Sequence, residues 1–119
     1  MTAEAFKQSS TMMAQGMTST LEKIDTLVSW SVKADRKTFV NGYTDLLKLD
    51  LRDLLEKVTA KALILGAPVP DRDIVMANME KQYAKLSNKT IEIAAGGKHF
   101  IMFDQPQWFY EKLNSFLSK

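Results

Sequence analysis

The sequence contains no cysteine. This absence excludes disulfide bonds, thiolate zinc sites and cysteine nucleophiles. No apolar run approaches the length of about 18 residues that a membrane-spanning helix requires, so no membrane span is predicted. The longest basic block is the pair Arg36-Lys37, and 16 basic residues nearly balance 14 acidic ones, which argues against a nucleic-acid partner. The N-terminus carries an early acid and no secretory pattern, so a cytoplasmic location is expected.

The composition is that of a globular protein, with 45% hydrophobic and 25% charged residues in a chain of 119. Its pattern changes near residue 60. Only helical periodicities precede this point, whereas strand-like runs alternate with helices after it. The predicted organisation is therefore a helical region over residues 1–49 followed by a mixed region over residues 50–119.

Before residue 60, helices are predicted over about 2–15 and 19–33, with a third that begins at the N-cap Asp35 and a short fourth that starts near Asp50. Apolar residues at helical spacing are expected to be buried on the last two helices: Phe39, Tyr43, Leu46, Leu47, Leu51, Leu54, Leu55 and Val58. Methionines and a tryptophan on the earlier helices suggest either packing core or an adaptable apolar pocket: Met12, Met13, Met17 and Trp30.

The second region is predicted to form a βαβα unit. The apolar run Ala62-Leu-Ile-Leu ends at Gly66 and is typical of a strand buried on both faces. A helix capped by Asp71 or Asp73 follows, then an alternating strand over 90–95. A final helix opens at Gln105-Pro106, and its predicted buried face consists of Phe109, Leu113, Phe116 and Leu117. The fold class is therefore α/β with two parallel strands, which are too few for an independent sheet and indicate the edge of a larger one.

His99 is the single histidine, and it follows the carboxyl end of the second strand. Loops at that edge of an α/β sheet commonly hold catalytic groups, and imidazole transfers protons near neutral pH. An ordinary loop histidine remains the alternative. Asp71 or Asp73, after the first strand, is either a partner that orients His99 or a helix cap. No serine lies in Gly-x-Ser-x-Gly, no phosphate-binding glycine motif is present, and no metal or cofactor is predicted.

The segment Lys98-His-Phe-Ile-Met-Phe-Asp-Gln-Pro-Gln-Trp-Phe109 resembles the end of α/β-hydrolase-fold enzymes. In that family the catalytic histidine follows the last strand, and an acidic residue and proline open the final helix. Residues 50–66 resemble the segment that leads into the penultimate strand, and the helices before residue 48 resemble an inserted lid. The sequence departs from the family at Val69, where the family's catalytic acid often lies.

The resemblance implies a partial α/β-hydrolase fold, with a lid over 1–49 and the C-terminal part of the core over 50–119. It implies a serine hydrolase acting on a small hydrophobic ester or acyl group, with His99 as base and Asp71, or Asp73, as the acid. The nucleophile is missing, so this chain is not expected to act alone. An N-terminal half or self-association is expected, and the alternative function is a non-catalytic module that self-associates through an exposed strand edge.

Overall fold

The computed structural model describes residues 2–118. The chain divides into two compact units, one up to Asp50 and the other from Leu51 onward. The α-helices are α1 (Ala3–Met17), α2 (Ile24–Lys33), α3 (Arg36–Lys48), α4 (Arg72–Gln82), α5 (Ile101–Asp104) and α6 (Pro106–Leu117). The strands are β1 (Ala62–Gly66) and β2 (Lys89–Ile93), and 3₁₀ turns cover Leu21–Lys23 and Arg52–Lys57.

The first unit is built on the packing of α1 against α2. Ala14 on α1 and Leu27 and Val28 on α2 form its apolar core. The side chain of Thr2 caps α1 by accepting a hydrogen bond from the N–H of Ala5 at 3.2 Å. The helix ends at Met17, two residues beyond the predicted end near residue 15.

Helix α3 begins after Asp35, and the predicted cap is confirmed because its carboxylate accepts a hydrogen bond from the N–H of Thr38 at 2.9 Å. The ring of Phe39 meets that of Phe6 edge to face, with 6.0 Å between centroids. The predicted burial of the rest of this face is wrong, since Leu46 is 64% exposed and Leu47 is 72% exposed.

In the second unit, β1 and β2 form a parallel pair whose register matches Ala62 with Lys89 and Gly66 with Ile93. The predicted α/β class with two parallel strands is thus confirmed. Successive side chains along a strand point to opposite faces of a sheet. Met79 of α4 lies on the face that carries Gly66 and Ile93.

The other face of the sheet meets α6. Lys112 of α6 forms an ion pair with Glu92, which neighbours Ile93 and therefore points to the opposite side. The sheet thus has a helix on each face. The buried apolar residues of this unit include Leu86, Ile93, Ala94 and Ile101.

Several expectations for the second unit are wrong. The segment after Asp50 forms a 3₁₀ turn rather than an α-helix, and Leu51, Leu54 and Val58 are exposed. Leu117 is also exposed, because it lies in the last turn of α6. The short helix α5 had no counterpart among the predicted elements.

Candidate functional site

The carboxyl ends of the two strands lie side by side. Gly66 and Ile93 are register partners, and the N–H of Ala94 donates to the carbonyl of Gly66 at 2.9 Å. Both connections that follow therefore leave the same edge of the sheet. One leads to Asp71 and the other leads to His99, as expected from the parallel arrangement.

His99 is exposed in the connection between β2 and α5. Its ring meets Phe100 edge to face, with 5.2 Å between centroids. Phe100 in turn stacks on Phe103 of α5, with centroids 5.6 Å apart and planes 21° apart. The imidazole is therefore exposed to solvent, while the next residue in the chain, Phe100, packs against α5.

The loop before His99 is held by Asp104. The backbone N–H of Lys98 donates to Oδ2 of Asp104 at 2.8 Å, in a part-buried environment. Gly97 has a φ of +88°, a left-handed conformation that glycine adopts without strain. Its α-carbon also approaches Asp104 so closely that an added Cβ would lie 2.9 Å from the Cβ of that residue.

The sequence pattern alone does not predict this positioning role of Asp104. The available signal was the glycine pair Gly96-Gly97 followed, seven residues after Gly97, by an acid beside Gln105-Pro106. A glycine in a left-handed turn commonly brings the backbone close to an acceptor. The distance of six residues between the donor Lys98 and its acceptor could not be read from periodicity.

Asp71 caps α4. Its Oδ1 accepts hydrogen bonds from the N–H groups of Asp73 at 2.9 Å and Ile74 at 3.2 Å. Asp71 is thereby confirmed as the cap, and Asp73 lies inside the first turn. No hydrogen bond joins His99 to Asp71 or Asp73 within residues 2–118. The structure brings the two connections to one edge of the sheet but does not pair the side chains.

A cleft of about 630 Å³ lies elsewhere in the second unit. It is lined by Lys61 and Asn88, which precede the two strands, and by Thr90 and Glu92 of β2 together with Phe116 of α6. Lys61 and Asn88 mark the amino ends of the strands, whereas His99 follows the carboxyl end. This cleft is therefore separate from the His99 loop.

The described part of the chain contains no group of three or more histidine, aspartate or glutamate side chains placed to hold a metal ion. None of its helices combines the length and apolar character needed to cross a membrane.

Comparisons with known proteins found no matching family model, no matching curated protein and no matching solved structure.

Proposed function

We propose that this chain is the C-terminal portion of a serine hydrolase of the α/β-hydrolase type, in which His99 is the catalytic base. The observation that carries the proposal is the exposed imidazole on a restrained loop at the carboxyl edge of a parallel sheet. At this place a histidine can take the proton from a serine hydroxyl as that oxygen attacks an acyl carbon. It then returns the proton to the leaving group. The serine comes from another polypeptide segment.

Asp71 is the proposed acid that orients the imidazole. Its Oδ1 accepts both cap hydrogen bonds, which leaves Oδ2 available to accept the Nδ1–H of a histidine. A carboxylate at Nδ1 fixes the tautomer in which Nε2 accepts the serine proton. Asp73 is the alternative acid, since it lies in the same first turn of α4.

The helices of the first unit are the proposed lid, and their exposed apolar side chains support a hydrophobic acyl group as substrate. Met12, Leu21 and Trp30 are all more than half exposed. Apolar groups at such positions bind an acyl chain by removing both surfaces from water.

The test is hydrolysis of p-nitrophenyl butyrate by this chain joined to the N-terminal hydrolase half that its coding frame or a neighbouring frame encodes. His99→Ala is expected to lower kcat by roughly 10³-fold or more, because the base is lost. A complex whose activity is unchanged in His99→Ala overturns the proposal. So does the failure of every encoded half to give His99-dependent activity.

The pair Asp71→Asn and Asp73→Asn tests the acid in the same complex. Asparagine is as good a helix cap as aspartate, so Asp71→Asn keeps the cap and removes only the charge. If Asp71 orients the histidine, Asp71→Asn lowers kcat steeply while Asp73→Asn does not. The reverse result assigns the acid to Asp73.

A second candidate function is a non-catalytic module that self-associates through a strand edge. The observation that favours it is that β1 pairs with β2 on one side only, and that in residues 2–118 the sheet has two strands. Two-stranded sheets have marginal stability in water, so an added strand stabilises the unit. Light scattering that shows a monomer at all concentrations excludes this candidate.

A further inference from the structure

The direction of the backbone groups on β1 follows from two hydrogen bonds. The N–H of Ala62 donates to the carbonyl of Asn88, and the carbonyl of Gly66 accepts from Ala94, both at 2.9 Å. Residues 62, 64 and 66 therefore direct their N–H and C=O groups toward β2, because these directions alternate along a strand. Leu63 and Leu65 direct theirs to the opposite side, where no strand pairs with them in the described chain.

The two free edges of the sheet differ in charge. β1 reads Ala-Leu-Ile-Leu-Gly and has no charged side chain, while β2 carries Lys89 and Glu92. Charged residues on an edge strand oppose pairing with another strand, and an uncharged apolar edge favours it. The side chains of Leu63 and Leu65 are only half-buried, so an added strand would also cover apolar surface. The outer edge of β1 is the favoured docking edge.

We propose that two copies of this chain pair through β1 in antiparallel fashion, with Ile64 on the two-fold axis. The proposal rests on the second candidate function and names its edge and register. In this register Leu63 lies opposite Leu65 of the second copy, and each such pair exchanges two N–H···O=C hydrogen bonds.

In this dimer every backbone N–H and C=O group that Leu63 and Leu65 direct outward forms a hydrogen bond. Each copy offers the N–H and C=O of Leu63 and of Leu65, and four hydrogen bonds satisfy them all. The strand is uncharged, so the two-fold arrangement places no like charges opposite one another. The product is a continuous four-stranded sheet, which is of the size that is stable in water.

Proline substitution tests the edge. Leu65→Pro removes an N–H from the outer edge of β1 and leaves the hydrogen bonds to β2 intact. Because the dimer has two-fold symmetry, it loses two of its four bonds. The dimer dissociation constant is expected to rise roughly tenfold or more by sedimentation or light scattering.

Ile91→Pro is the matched control. Ile91 directs its N–H to the outer edge of β2, since Asn88 and Ala94 point toward β1. This variant therefore removes an edge N–H from the other side of the same sheet and should leave dimerisation unchanged. Equal effects of the two prolines on the dissociation constant overturn the choice of edge.

Single cysteine substitutions test the register. Because the chain has no other cysteine, any disulfide must join the introduced residues of two copies. In this register Ile64 of one copy lies opposite Ile64 of the other, as a non-hydrogen-bonded pair. The two α-carbons of such a pair are about 4.5 Å apart, a distance that a disulfide can span. Ile64→Cys should give a covalent dimer on oxidation, whereas Leu63→Cys, displaced from its copy along the strand, should not.

The outcomes separate the two proposals. Dimers that do not cross-link through Ile64→Cys overturn this register and leave self-association standing. A chain that is monomeric at all concentrations overturns both, and the hydrolase proposal is then judged by its own assay.

Discussion

The backbone N–H of Lys98 is fixed by a hydrogen bond to the carboxylate of Asp104, 2.8 Å away. This bond closes a loop that contains His99 and ends in α5. Because Phe100 also stacks on Phe103, the residues on both sides of the histidine are anchored to the same short helix. The position of the imidazole thus depends on Asp104 through the backbone of the loop.

Asp104→Ala should release the loop. The substitution leaves the part-buried N–H of Lys98 without its acceptor, and we expect a loss of about 1–3 kcal/mol in the free energy of unfolding. Asp104→Asn keeps an acceptor oxygen and should cost less. Urea denaturation gives the stability, and amide hydrogen exchange at Lys98 reports the bond directly. Unchanged protection of that amide in Asp104→Ala would show that the bond does not form in solution.

Gly97→Ala should destabilise the same loop. A side chain at a φ of +88° is strained, and its Cβ would lie 2.9 Å from the Cβ of Asp104. We expect a cost of about 1–3 kcal/mol in thermal or urea unfolding. Gly96→Ala is the control, because its Cβ would meet only the amide nitrogen of Gln105, at 3.4 Å. Similar costs for the two alanines would contradict the left-handed turn.

The two strands and the longer helices of the second unit could be predicted because their signals are local. An apolar run that ends at Gly66 predicts a strand, and an aspartate before a helical pattern predicts a cap at Asp71 or Asp73. The parallel pairing followed from the helix between the strands. These features depend on backbone propensity and on side chains that act within a few residues.

The burial of the apolar side chains of α3 could not be predicted in this way. Periodicity shows that Phe39 and Leu47 belong to one side of α3, but it does not show how far a neighbouring helix extends. In the structure Phe39 is covered from α1, and Leu47, near the other end of α3, is not. The role of Asp104 was also missed, because it depends on the path of a loop rather than on a repeat.

The difference between these apolar positions predicts contrasting mutational effects. Leu47→Gln changes a side chain that is 72% exposed, so the free energy of unfolding should move by no more than about 0.5 kcal/mol. Leu27→Ala removes a side chain that is 5% exposed and should cost about 2–5 kcal/mol. Chemical denaturation measures both. A large loss in Leu47→Gln would mean that this face of α3 is covered in solution.

The cap at Asp71 predicts a stability effect that is independent of catalysis. Asp71→Ala removes the acceptor for the N–H groups of Asp73 and Ile74 and should destabilise the chain by about 1 kcal/mol. Asp71→Asn should be nearly neutral, since its side-chain oxygen caps equally well. Thermal unfolding followed by circular dichroism compares the two. Equal losses in both variants would assign the effect to charge rather than to the cap.

The pKa of Asp35 predicts a pH-dependent contribution to folding. The hydroxyl of Thr38 donates to its carboxylate at 2.7 Å, and the N–H of Thr38 donates at 2.9 Å. Both bonds favour the charged form and hold the pKa of Asp35 below its ordinary value of 3.8. The stabilisation is therefore fully present above pH 3.8 and is lost as the pH falls through the lower pKa of the folded chain.

Thr38→Val removes the hydroxyl, which is the larger cause, and should raise the pKa of Asp35 toward 3.8. A carboxyl-carbon NMR titration measures this shift. Thr44→Val is the matched control, because its hydroxyl donates to the carbonyl of Val40 on the same helix and does not contact Asp35. The pKa of Asp35 should stay low in that variant. If Thr38→Val leaves it low as well, the backbone N–H alone accounts for the shift.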